Sequence, residues 1–293
     1  MAVDKSFSFV PQNLNAFNNF NVTIVGGTGG LGRAIGRALA SVGVNVTVIG
    51  RTFRDSENKN IKFIEADLTS IVEARKVAKN LNASSIDVLL FTTGIFAAPK
   101  RQETSEGLER DMAVSFLNRL VMIPEIVPRM ESNKNFFGFV PRVFIMAYPG
   151  DGQLGTIDDL NCEDSYGTLK AHMNTVAGNE ALVYDCASKY KNVHFYGLNP
   201  GLVTTGIRNN LLGEGTWKSR ITEGLLGWFT QTPEDYAKGI VPLLVAKELE
   251  DASGTIYNNK AQRLYPSKNF TSEYASKYIN KSWELLKSKN LTE

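Results

Sequence analysis

Val25-Gly26-Gly27-Thr28-Gly29-Gly30-Leu31-Gly32 limits what this chain can fold into more than any other segment. The β-branched run Val22-Thr23-Ile24-Val25 leads into it, and a helical stretch from Leu31 to Ser41 follows. Glycines in a strand-to-helix turn let the backbone bend sharply and come close to a ligand, at a cost in conformational entropy. The helix that opens there offers unpaired N–H groups and the positive end of its dipole to an anion. Gly26, Thr28, Gly29, Gly30, Leu31 and Gly32 are therefore candidates to bind a pyrophosphate. A tight turn with no ligand is the competing explanation, and it leaves the glycine cost without a structural need.

Strand and helix alternate along most of the chain. Short apolar runs at Val22–Val25, Val44–Ile49, Ile61–Glu65, Ile86–Thr92, Arg142–Ala147 and Val193–Leu198 read as strands. Helical segments separate them at Leu31–Ser41, Ser70–Leu81, Ser105–Met130 and Tyr166–Tyr190, with a kink expected near Pro124 and Pro128. Continuous apolar strands are expected where both faces of a parallel sheet are covered. The expected fold is therefore one α/β domain, a doubly wound, Rossmann-like parallel sheet. Residues 1–20 form an N-terminal extension that packs on the domain without joining its sheet. The domain runs over 21–270, and 271–293 is a helical tail. Residues 206–231 break the rhythm with Gly213, Gly215, Gly224, Gly227, Trp217, Trp228 and Phe229. Thr232-Pro233-Glu234-Asp235 then reads as a helix start, Thr as N-cap and Pro at the first position. Thr255–Tyr257 is the expected last strand.

Composition removes several classes of function. The 293 residues carry 32 Lys+Arg against 30 Asp+Glu, which gives no basic field for nucleic acid. Cys162 and Cys186 are the only cysteines, too few for a disulfide framework and without zinc-ligand spacing. No metal site is expected from them or from His172 and His194. Two reduced thiols, no signal-like N-terminus and no long apolar run make a soluble cytoplasmic protein the expectation.

From the glycine turn onward the sequence resembles the short-chain dehydrogenase/reductase family, over about residues 20–260. Gly26, Gly30 and Gly32 match its Thr-Gly-x-x-x-Gly-x-Gly turn, with Val25 in the Thr slot. Asp67-Leu68 stands where the family's adenine-contacting acid lies. Phe91-Thr92-Thr93-Gly94 occupies the Asn-Asn-Ala-Gly slot, and Pro200-Gly201-Leu202-Val203-Thr204-Thr205 matches the Pro-Gly-x-Val-x-Thr stretch beside the nicotinamide. The resemblance thus implies a dinucleotide cofactor bound by Asp67, Leu68, Thr93, Gly94, Pro200, Gly201, Val203 and Thr205 as well as the turn. It is similar above all to a fungal branch of oxidoreductases, some of which reduce small aldehydes.

The second strand ends Ile49-Gly50-Arg51-Thr52. An acid there would accept from the ribose 2′-OH and repel a 2′-phosphate. Gly50 removes it and Arg51 can form a charge-assisted fork with a phosphate. NADP(H) is favoured over NAD(H).

Carbonyl reduction also needs a proton, which the family takes from a Tyr four residues before a Lys. Lowering a Tyr from about 10 to about 7 needs roughly 4 kcal/mol. An ammonium ~5 Å away supplies roughly 3 kcal/mol at an effective dielectric of ~20. Tyr166 and Lys170 have the spacing and would share a helix face. They lie 34 residues and 30 residues before Pro200, and a gapless alignment puts Lys170 in the Tyr slot and Asn174 in the Lys slot. Both registers stay open. Tyr148 stands near the family's Ser and could orient the carbonyl or donate the proton; Ser115 replaces the family's Asn. His172 reads as a helix histidine bonded to a neighbour, with a general acid as the alternative. The expectation is an NADPH-dependent reductase of a small-molecule aldehyde or ketone, with 206–231 as substrate lid and a homo-oligomer possible. The alternative is a dinucleotide-binding sensor or scaffold that has lost part of its active site.

Overall fold

A computed structural model describes residues 2–131, 133–135, 137–147, 152–201, 231–267 and 269–292. Tyr148, Val203, Thr205 and the lid expected at 206–231, except Gln231, lie outside the described residues.

The β-branched runs form strands because their apolar side chains can be covered on both faces. β1 is Asn21–Val25, β2 Asn45–Gly50, β3 Ile61–Glu65, β4 Val88–Phe91, β5 Arg142–Met146, β6 His194–Leu198 and β7 Thr255–Tyr257. A short β8, Arg263–Leu264, follows. The sheet order is β3-β2-β1-β4-β5-β6-β7-β8, parallel throughout except for β7 with β8. The order reverses between β1 and β4, so the carboxyl ends of these two strands open a crevice. All five β5 positions and all four β4 positions are buried, as a doubly covered sheet requires.

The helices are α1 Gly30–Ser41, α2 Ile71–Asn80, α3 Arg110–Met112, α4 Asn118–Ile126, α5 Thr168–Lys189, α6 Pro233–Leu244 and α7 Ser272–Ser288. α1 lies against α6 on one face of the sheet, and α2 with α4 and α5 with α7 on the other. Two apolar cores result, one holding Ile24, Ile35 and Ile240 and the other Phe91, Phe116 and Val183. Local sequence signals fix several helix ends. Ser70 caps α2 by accepting from the Glu73 amide, and Thr232 caps α6 by accepting from the Asp235 amide.

Three expectations change. Residues 2–4 do join the sheet: Val3 bridges Leu264, and the Asp4 amide donates to the Arg263 carbonyl at 2.8 Å. β8 is an edge strand with unpaired backbone groups, which a passing chain satisfies. The helix expected over 105–130 begins only at Arg110 and is interrupted by a π-turn over Ala113–Leu117. Asn118 Nδ2 donates to the Val114 carbonyl at 2.7 Å there. The helix expected from Tyr166 starts at Thr168 with Gly167 as N-cap, so Tyr166 stands outside it and shares no helix face with Lys170.

Candidate functional site

The crevice at the ends of β1, β2 and β4 is a cleft of about 430 Å³. Of the candidates, Gly26, Thr28, Gly29, Gly30, Leu31, Arg51, Asp67, Leu68, Thr93 and Gly94 line it. Gly32 stands behind them. A Cβ on Gly32 would lie 2.6 Å from the Gly26 carbonyl oxygen and run into Thr92 Oγ1, so only glycine lets α1 come this close to the turn.

Gly29 is the N-cap of α1 and offers no side chain to its amides, and the first turn holds no acid. The unpaired N–H groups of the helix start therefore face the cleft as an anion site. A Cβ on Gly50 would meet Thr28 Oγ1 at 2.5 Å, so any side chain there requires Thr28 to shift.

Arg51 and Arg54 both line the cleft. Arg54 Nη1 donates to the Thr28 carbonyl at 2.9 Å, which pins it to the glycine turn. The nearby acid, Asp55, is taken by Arg33 through two 2.8 Å bonds. Those bonds hold its carboxyl below the usual range against the pull of burial. Asp55 is bonded to Arg33, and Arg54 acts on it only at longer range. Glycine turn and bare helix start fit a dinucleotide diphosphate, and Arg51 and Arg54 line the same cleft.

The cleft also contains residues that the sequence reading did not single out. Arg110 and Val114 face it from the helix before and within the π-turn, and Ile95 closes it after β4. Their four-residue spacing was the available signal, but the turn's register hid it. Arg110 Nη1 donates to Gln102 Oε1 at 2.8 Å.

The proton-donor candidates are placed differently from expectation. Tyr166 Oη donates to the Ala98 carbonyl at 2.5 Å. Burial, with Glu109 and Asp111 nearby, pushes its phenol up to about 12. Lys170 Nζ donates to Asp159 Oδ2 at 2.6 Å and to Ser165 Oγ at 2.7 Å. Asn174 is buried and anchors the segment ahead of α5, accepting from the Thr156 amide and donating to the Asp159 and Leu160 carbonyls. Ser115 Oγ donates to Asp111 Oδ1 at 2.5 Å and accepts from the Ile95 amide at 3.1 Å. Pro200 and Gly201 follow β6, where the Gly201 amide donates to Asn199 Oδ1.

Arg119 binds these parts together from a fully buried position. Its guanidinium donates to the carbonyls of Thr93 and Met146 and to Asn179 Oδ1, tying the ends of β4 and β5 to α5. Burial pushes its pKa down to about 9, with Asp111 opposing the shift. The two cysteines are buried, and burial pushes the Cys162 thiol up to about 11. Among the described residues no group of three or more His, Cys, Asp or Glu is gathered for a metal, and no helix is long and apolar enough to cross a membrane.

Residues 21–140 match the family model for short chain dehydrogenase. The chain is 45% identical to the uncharacterized oxidoreductase YKL107W of Saccharomyces cerevisiae, over 98% of this chain and 95% of the relative. It is 23% identical to the polyprenol dehydrogenase of Homo sapiens, over 81% and 76% of the two chains. Among solved structures, the aldohexose dehydrogenase of Thermoplasma acidophilum superposes with a TM-score of 0.64 at 17% identity, covering 84% of this chain and 94% of that one. That likeness concerns the fold.

Proposed function

The chain belongs to the short-chain dehydrogenase/reductase family, and on that premise we propose that it reduces a small aldehyde or ketone to an alcohol with NADPH. The observation that carries the reading is the cleft at the sheet's switch point, with a bare helix start on one side and Arg51 and Arg54 on the other. A bound NADPH would supply the hydride. The amides opening α1 would hold the diphosphate. Arg51 and Arg54 would hold the 2′-phosphate, with Asp67 and Leu68 at the adenine. In the resemblance Tyr166 gives the proton, Lys170 supports it, and Tyr148 and Ser115 stand near the carbonyl. Pro200, Gly201, Val203 and Thr205 border the nicotinamide. The same reading places the protein in the cytoplasm, where Cys162 and Cys186 stay reduced, as a homo-oligomer or a monomer.

A second reading is a dinucleotide-binding sensor without turnover. It is favoured by one arrangement: Lys170 is engaged by Asp159, and Tyr166 by Ala98. Loss of NADPH absorbance with a panel of aldehydes and ketones, beside a fluorescence titration of NADPH, tests both. Turnover on any of them supports the reductase. Tight NADPH binding with no turnover on the whole panel supports the sensor and ends the reductase reading.

A further inference from the structure

Arg110 lines the cleft together with Val114, Leu68 and Thr69. It opens α3, whose Met112 lies in the same apolar core as α2, α4 and α5. Arg110 therefore enters the cleft from the α2 and α4 face of the sheet. Arg54 is tied instead to the glycine turn that opens α1, through the Thr28 carbonyl. Asn118, further along the same helical column, fixes the wall beside Arg110. Its Nδ2 donates to the Val114 carbonyl at 2.7 Å and to the Leu68 carbonyl at 3.3 Å.

The guanidinium is held before any ligand arrives. Arg110 Nη1 donates to Gln102 Oε1 at 2.8 Å, and the Arg110 amide donates to the Gln102 carbonyl at 2.9 Å. The segment between the two residues is closed by the bridge of Glu103 to Glu109 and by the Thr104 amide on the Leu108 carbonyl. Its tip is fastened to the start of α2. There the Glu106 carboxylate accepts from Ser70 Oγ and from the Ile71 amide, each at 2.7 Å. Arg110 thus stands on a braced turn, and a ligand that uses it has less side-chain freedom to remove.

We propose that Arg110, positioned by Gln102, stacks its guanidinium on the adenine of the bound dinucleotide. The proposal rests on the dinucleotide reading above and adds a group that grips the base. Asp67, Leu68 and Thr69 follow β3, which lies across β1 from β5 and β6. The half of the cofactor that reaches them is the half remote from Pro200, the adenosine. Leu68 and Val114 offer that half an apolar surface, and Arg110 adds a planar cation beside it. A planar cation is attracted to the face of an aromatic ring, and a guanidinium can lie flat against it where an ammonium cannot. Adenine is common to NADPH and NADH, so the contact serves both cofactors equally. Arg51 and Arg54, read as partners of the 2′-phosphate, serve NADPH alone.

The test titrates full-length wild type, Arg110→Ala, Arg110→Lys and Gln102→Ala with NADPH and with NADH, following cofactor fluorescence, with circular dichroism as the check on folding. Arg110→Ala is expected to raise the Kd by about tenfold for both cofactors. Arg110→Lys should recover little of the NADPH affinity, because it restores the charge without the plane. Gln102→Ala, an exposed position, should raise both Kd values by about threefold by releasing the guanidinium. If Arg110→Ala fails to fold, Arg110→Lys and Gln102→Ala carry the same comparison. Affinities of the folded variants within about twofold of wild type overturn the proposal. So does a loss confined to NADPH, which would put Arg110 on the 2′-phosphate, and so does full recovery of NADPH binding by Lys. Wild type that binds neither cofactor counts against the dinucleotide reading itself and removes this contact with it.

Discussion

The Lys170 ammonium donates a 2.6 Å hydrogen bond to the Asp159 carboxylate. Asp159 also accepts from the amides of Glu163, Asp164 and Ser165. It is therefore the hub that folds the segment ahead of α5. The partnership also explains why the phenol of Tyr166 moves up and not down: its expected cation is neutralised elsewhere, while burial and two carboxylates act on it.

Asp159→Asn should destabilise the fold by about 1–3 kcal/mol at neutral pH, since it breaks a charged bond and misaligns three amide donors. Burial alone would raise the Asp159 pKa, but Lys170 and the three amides hold it below the usual range. A lowered folded-state pKa contributes stability above the unfolded value, and this is lost as pH falls through the folded one. Denaturant melts of wild type and Asp159→Asn should therefore differ at pH 7 and converge below about pH 4. A gap that persists at low pH would show that the hub is not electrostatic.

Arg51→Ala and Arg54→Ala should each weaken NADPH binding by about tenfold or more and leave NADH binding nearly unchanged. A charge-assisted bond to phosphate is worth about 1.5–3 kcal/mol. Arg54→Ala also frees the Thr28 carbonyl, so its effect should include a small loss for NADH. Equal losses for both cofactors with Arg51→Ala would remove the 2′-phosphate assignment.

Gly32→Ala is expected to keep the fold and raise the NADPH Kd by at least about tenfold, roughly 1.4 kcal/mol. The new Cβ would sit 2.6 Å from the Gly26 carbonyl oxygen, so α1 must back away from the turn that is proposed to hold the diphosphate. Circular dichroism and a fluorescence titration separate the two effects. Unchanged affinity would show that the turn does not hold the cofactor.

Arg119→Met should cost about 3 kcal/mol or more, because the carbonyls of Thr93 and Met146 and the Asn179 amide oxygen lose a buried donor together. Arg119→Lys should recover only part of it. A point-like ammonium cannot span three acceptors as the planar fork does. Thermal melts of the two variants check this; full recovery by Lys would show that charge alone matters there.

The alternation of strand and helix, the glycine turn and the caps at Ser70 and Thr232 were legible in the chain because each is a local property. Periodicity sets which residues can be covered, and a backbone needing close approach admits only glycine. Ten candidate cofactor residues meet at one cleft for the same reason: in a doubly wound sheet the order of the elements dictates where strand ends converge. Other features depended on partners far apart in sequence. Nothing near Lys170 announces Asp159 as its partner rather than the phenol of Tyr166. His172 and Asp111 are 61 residues apart, and Arg119 reaches β4, β5 and α5 at once. The π-turn around Ser115 and the bridge of Val3 to β8 depend in the same way on what packs beside them. Local backbone chemistry thus fixed the framework and the cofactor crevice, while long-range packing decided which charges meet inside it, since electrostatic partners are set by distance in space.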